Sequence, residues 1–130
     1  SYGGNPMACG AALASIEVIQ EENLLDYTIE LGEFCLAKME KMKEEHPIIG
    51  DVRCKGALMG IELVKDRQTK EAFTEAGTFV YQHAFRNGLA WIPAGHILRM
   101  SPPIVMDLDT AAKALDLIED AIAAAEKELM

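Results

Sequence analysis

Apolar residues recur at helical spacing in four stretches of this chain, with short apolar runs between them. The first stretch predicts a helix from Asn5 to Glu22, with Asn5 as its cap and Pro6 at its first position. Ala8, Ala12, Leu13, Ile16 and Ile19 are predicted to line its buried side. It is apolar nearly all round at its start, as in helices set inside a larger body or against a partner. A second helix is predicted over about Leu24–Glu45, where Leu24, Thr28, Leu31, Cys35, Met39 and Met42 form a stripe opposite a charged side. Pro47 ends it, because the residue before a proline avoids the helical region. His46 then reads as a surface residue favoured by the dipole at the helix end.

The runs that follow predict two strands, Ile49–Lys55 and Ala57–Val64, pivoting at Gly56. Gly60, inside the second, predicts a bulge or a close backbone approach. Lys65-Asp66-Arg67 reads as a solvated turn. A third helix is predicted over about Glu71–Arg86, with Phe73, Ala76, Phe79, Val80 and Ala84 facing inward, and Gly88 can take the left-handed conformation that stops it. Leu89–Ile92 and His96–Met100 read as two short strands around Pro93-Ala94-Gly95, the second ended by Ser101-Pro102-Pro103. The last helix begins near Asp107 and runs past Ala125 on a stripe of Ala111, Leu115, Ile118, Ile122 and Ala125. This order predicts an α+β fold: helices covering one face of a small, mostly antiparallel sheet, with a long N-terminal helix.

Composition narrows the functions open to such a fold. The chain has 130 residues, enough for one domain with a real core. A net charge of -9 argues against nucleic acid and anionic membrane surfaces as partners. No apolar run is long enough to span a bilayer and no signal peptide is visible. The chain opens without a Met, as if cut from something longer. Cys9, Cys35 and Cys54 are odd in number and far apart, and His46, His83 and His96 are equally scattered, so neither a disulfide framework nor a metal site is expected. A reducing cytoplasm fits that cysteine usage.

Two places carry candidate chemistry. Ser1-Tyr2-Gly3-Gly4-Asn5-Pro6 puts a hydroxyl and two glycines against a helix start, whose unpaired amides suit a phosphate; the same residues also make an ordinary turn and cap. Arg99, on an apolar strand before Pro102-Pro103, offers a rigid fork for a carboxylate or phosphate, or else an edge charge that discourages aggregation. Arg53 and Lys55 beside Gly56 are a weaker anion site, read first as alternating strand exposure. Asp51, Glu62 and Asp66 show no pairing for acid–base work, and Trp91 and Tyr2 suit packing as well as stacking on a ring. All eight lysines lie in polar or charged surroundings, so none is expected to be a desolvated nucleophile.

Several blocks together carry a resemblance. Ser-Tyr-Gly-Gly-Asn-Pro-Met-Ala-Cys, His-Pro-Ile-Ile-Gly-Asp-Val-Arg, Gly-Ala-Leu-Met-Gly-Ile-Glu-Leu-Val-Lys-Asp-Arg and Leu-Arg-Met-Ser-Pro-Pro-Ile-Val-Met follow one another here. They are similar to the C-terminal part of class III aminotransferases, the fold-type I pyridoxal-phosphate enzymes that include 4-aminobutyrate, ornithine and acetylornithine transaminases. The resemblance implies that residues 1–23 close the large cofactor domain and that residues 24–130 form the small C-terminal domain. It implies that Ser1, where the family usually has threonine, and Tyr2 contact the cofactor phosphate of the other subunit. It implies that Arg99 grips the substrate carboxylate.

The parent would move an amino group from an amino acid, an ω-amino acid such as 4-aminobutyrate among them, to a 2-oxo acid. It would act in the cytoplasm as a homodimer or a dimer of dimers. The Schiff-base lysine of the family lies upstream of these blocks, so no catalytic residue is expected here and the fragment alone is expected to be inactive. Cys54 stands where the family commonly has glycine. The alternative is a non-catalytic module that binds a carboxylate or an amino acid through Arg99.

Overall fold

In the computed structural model, residues 3–91 and 95–130 are described. Four helices and three strands follow in the order α1 (Pro6–Glu21), α2 (Leu24–Glu45), β1 (Ile49–Lys55), β2 (Leu58–Leu63), α3 (Thr74–Arg86), β3 (Ile97–Met100) and α4 (Leu108–Leu129). The sheet is antiparallel throughout, in the order β1-β2-β3. The expected α+β layer is therefore present.

Alternation along the strands sends Val52, Met59, Ile61, Leu63 and Leu98 to one face, where α2 and α3 lie on the strands and α4 packs against those two helices. Leu31, Met39 and Met42 of α2, Val80 and Ala84 of α3, and Ile118 and Ile122 of α4 complete this core, each almost wholly buried. The predicted stripe of α4 packs, and so does that of α2 except at Thr28, which is half-buried. Two close approaches set the layer spacing. Gly32 of α2 lies against Gly56, and Gly77 of α3 lies against Gly95.

The caps follow local chemistry. The Asn5 side chain accepts from the amides of Met7 and Ala8, and the Asp107 carboxylate accepts from the amide and hydroxyl of Thr110. The Thr110 bonds hold the Asp107 carboxyl below its ordinary range.

The structure departs from the sequence reading in five places. Gly60 forms neither the expected bulge nor a close backbone approach: the register runs regularly through it, and the one neighbour an added Cβ would meet among the described residues is the Ile97 methyl at 3.6 Å. No residue of α1 is buried: Leu13 is 62 % and Ile16 54 % exposed, because nothing in the described chain packs on that helix except α2. Leu89–Trp91 forms no strand; Leu89 and Trp91 pack their side chains against the core instead. Ile92, which ended that predicted strand, and the Pro93-Ala94 turn lie outside the described residues. Arg67 does more than decorate a turn. It donates to the carbonyls of Lys43, His46 and Ile49, tying the end of α2 to the start of β1. His46 is largely buried, and its Nδ1 donates to the Glu126 carboxylate of α4 at 2.8 Å.

Candidate functional site

The sheet has one face packed and one face open, and the open face carries the charged side chains. Its central row is Arg53 on β1, Gly60 on β2 and Arg99 on β3, paired directly across the three strands. Neighbouring strands lie about 4.8 Å apart, so the two arginine Cα atoms are roughly 10 Å apart with Gly60 midway.

The two arginines differ in their partners. Arg53 is neutralised: its Nη2 donates to Glu62 at 2.9 Å and its Nε lies 3.4 Å from Asp51. Glu62 also lies 3.9 Å from His96 Nε2. Arg99 is exposed and has no carboxylate partner among the described residues. Its fork is therefore the one on this face left for an external anion.

Beside the row is an open basin of about 430 Å³ lined by residues 53–55 and 58–60 and by Ile97. Arg99 is not one of its walls; it stands across Gly60 from them. The Tyr27 hydroxyl donates to the Met106 carbonyl at 2.6 Å, holding the segment that leaves β3 against α2. Of the other residues singled out in the sequence, Ser1 and Tyr2 lie outside the described residues.

On the helical side of the sheet is a smaller, apolar cavity of about 190 Å³, bordered by Cys35, Met59, Trp91, Met100, Leu115 and Ile118. The Trp91 Nε1 is buried and finds no partner among the described residues. Burial pushes the Cys35 thiol up to about 11, reinforced by Cys54 and opposed by Lys38. The Cys54 thiol is also raised by burial, and its sulfur lies 3.3 Å from the Gly32 carbonyl. Neither thiol is an activated nucleophile.

The sequence missed one cluster. Glu45, His46 and Glu119 bring ligand atoms within 4.8 Å of one another, close enough to share a cation, while Glu126 holds the other imidazole nitrogen. Local reading could not find it, because Glu119 of the cluster and Glu126 beside it both lie on α4, far along the chain from His46.

A cofactor ring would need an amine in a sheltered site. The apolar cavity is bordered by no lysine, and Lys55 opens onto solvent at the rim of the basin. The described residues therefore do not by themselves make a pyridoxal-phosphate site. No described helix is long and apolar enough to cross a membrane.

Comparison with known proteins places this geometry. The chain is 46 % identical over 127 residues to a leucine/methionine racemase of Thermococcus litoralis, covering 95 % of this chain and 28 % of that protein. It is 35 % identical to a probable 4-aminobutyrate aminotransferase of Bacillus subtilis, covering 92 % and 28 %. An amine transaminase from an uncultivated Pseudomonas species, solved in its PLP-bound form, superposes with a TM-score of 0.90 at 28 % identity, covering 95 % of this chain and 29 % of that one. The chain thus spans less than a third of the length of these relatives. The family model for class III aminotransferases matches residues 1–122. The two-layer fold, the motif order and this match agree: the chain belongs to the class III aminotransferase family.

Proposed function

We propose that this chain is the small C-terminal domain, residues 24–130, of a pyridoxal-phosphate-dependent aminotransferase, joined through residues 1–23 to a large cofactor domain. Arg99 holds the carboxylate of the amino-acid substrate and of the 2-oxo acid that accepts the amino group. Ser1 and Tyr2 contact the phosphate of a cofactor held by the other subunit of a dimer. The bound cofactor supplies the electron sink for bond cleavage beside the amine nitrogen. This chain supplies grip and orientation, which act by fixing the reacting end of the substrate. The observation that carries the reading is the exposed Arg99 fork, unpaired among the described residues, while its neighbour Arg53 is neutralised.

The test is Arg99→Gln in the longer protein that carries this chain. Loss of a charge-assisted contact costs about 1.5–3 kcal/mol. KM for an amino-acid substrate should rise by roughly 10–150-fold. A carboxylate-free amine should react as before. Equal changes for both substrates would refute the assignment. The chain alone, mixed with cofactor and reduced with borohydride, should show no stoichiometric lysine adduct by mass spectrometry.

A second reading is favoured by the higher identity to the racemase than to the aminotransferase. Racemisation needs the same carboxylate grip but no amino acceptor. Chiral chromatography of L-leucine incubated with the longer protein, without any 2-oxo acid, separates the two: D-leucine formation supports racemisation, and its absence supports transfer.

A further inference from the structure

His46 is the side chain whose setting the fold leaves incomplete. Its imidazole lies between α2 and α4 with 12 % of its surface open. A carboxylate only accepts, so Nδ1 carries the proton that it donates to Glu126 at 2.8 Å. The other oxygen of Glu126 accepts from the Ile48 amide at 3.4 Å, so that carboxylate is held from both sides. Nε2 is different. The Glu119 oxygen facing it is 3.8 Å away, too far for a hydrogen bond, and Nε2 has no other partner among the described residues. A histidine serving only as an ion-pair partner would draw Glu119 in. A ring with one nitrogen fixed by a carboxylate and the other left as a free lone pair is the arrangement of a metal-ligating histidine.

The surroundings of that nitrogen fit a cation. Ligand atoms of Glu45, His46 and Glu119 lie within 4.8 Å of one another. Neither Glu45 nor Glu119 pairs with a lysine or arginine among the described residues. Arg67, which reaches the His46 carbonyl, spends its donors on backbone. Glu119 and Glu126 are seven residues apart on α4, about two turns, and so share one face. Glu45 ends α2 and His46 caps it, where the carbonyl end of a helix favours positive charge. Four-coordinate zinc holds its ligand atoms roughly 3.3 Å apart, so Glu119 need close by only about 0.5 Å, and Glu45 is exposed and can swing. One imidazole with two carboxylates suits zinc better than magnesium or calcium, which take oxygen ligands.

We propose that Glu45, His46 and Glu119 bind one zinc-type divalent cation through Nε2 and two carboxylates, with water completing the shell and Glu126 fixing the imidazole. The ion fastens the end of α2 to α4, on the helical side of the sheet. This site is independent of the reading of Arg99.

The experiment is calorimetry on the chelator-stripped longer protein, with zinc chloride and, in parallel, magnesium chloride. His46→Asn keeps an amide that can donate to Glu126 and removes the Nε2 ligand. Glu45→Gln changes an exposed side chain and leaves the core alone. The parent should take up one equivalent of zinc that His46→Asn does not. Glu126→Gln should weaken that zinc by about 10–100-fold, and Glu45→Gln and Glu119→Gln at least as much. Glu30→Gln, the same charge change at an exposed position elsewhere on α2, should bind as the parent does. Zinc should raise the thermal midpoint of the parent and not that of His46→Asn. If His46→Asn lowers the metal-free midpoint, Glu45→Gln decides alone. Equal zinc uptake by the parent, His46→Asn and Glu45→Gln would overturn the site. So would magnesium bound as tightly as zinc, which would mark an acidic surface only.

Discussion

The two inter-layer glycines allow the packing argument to be tested in graded steps. Gly32 and Gly77 sit inside helices, where alanine is ordinarily preferred by about 1 kcal/mol. Both are fully covered, and both face backbone rather than a flexible side chain. A Cβ at Gly32 would lie 2.5 Å from the Gly56 carbonyl oxygen; one at Gly77 would lie 1.9 Å from that of Gly95. An ordinary contact begins near 3.4 Å. Helix α2 would have to retreat by roughly 0.9 Å and α3 by roughly 1.5 Å, with dispersion lost along each interface. Overpacking of this kind costs about 1–3 kcal/mol, occasionally more.

Set against the propensity gain, Gly32→Ala should lose about 1–2 kcal/mol, and Gly77→Ala about 3 kcal/mol. Gly10→Ala is the control, because a Cβ there meets nothing within 4 Å. Urea unfolding followed by circular dichroism reads the difference. At a slope of about 1.5 kcal/mol per molar, Gly77→Ala should move the midpoint down by about 2 M. Gly32→Ala should move it about half as far, and Gly10→Ala should leave it in place or raise it slightly. Gly77 also fixes the approach to β3 through Gly95 and His96, so the same variant should loosen the strand that carries Arg99. A Gly77→Ala midpoint equal to that of the parent chain would refute the idea that backbone contact sets the layer spacing.

Two further outcomes concern titration. Cys35 keeps its proton in the folded chain up to about 11, against 9.0 unfolded, so its contribution to stability is complete below pH 9 and fades as pH rises through 11. Thiol labelling with mass spectrometry at pH 8 should therefore modify exposed Cys9 quickly and Cys35 only after unfolding; equal rates at the two would refute the assigned burial. Asp107 has its folded value lowered by Thr110, so its stabilisation is present above the ordinary carboxyl value of 3.8 and is lost as pH falls through the lower folded one. The thermal midpoint of Asp107→Ala should lie below that of the parent chain at neutral pH and converge with it in strong acid; a pH-independent gap would refute the cap.

What the sequence disclosed depended on how local its cause was. The stripe of α4, and that of α2 from Leu31 to Met42, were legible because their residues pack into one core, so a single period describes both the chemistry and the burial; Thr28 of the predicted α2 stripe is only half-buried. The first helix was legible as a helix, since Asn5 and Pro6 act within four residues, but not in its burial, which depends on what lies beside it. Leu89–Trp91 had the apolar content of a strand, but those side chains are spent on packing against the core, which an apolar run alone does not distinguish from pairing. His46 looked like a surface residue because its partners, Glu119 and Glu126, are brought to it by the packing of α4.

The same distinction separates Arg99, singled out by its residue type, from Gly60, where the expected bulge or close backbone approach is absent. An arginine at an apolar strand end is unusual wherever the strand lies, so its residue type alone raised the question. A strand glycine has several ordinary causes, and only coordinates can remove them one at a time. The structure adds a setting that no local pattern carries: a sheet whose inner face is closed by its own helices and whose other face carries Arg99 without a carboxylate partner among the described residues. The apolar residues Met7, Leu13, Ile16, Leu25 and Ile29 of α1 and α2 are left open in the same way, and exposure on that scale marks a surface meant for contact. Leu25 and Ile29 lie in the proposed small domain and Met7, Leu13 and Ile16 in the segment proposed to join it to the large one, so this exposed apolar surface runs across the proposed junction.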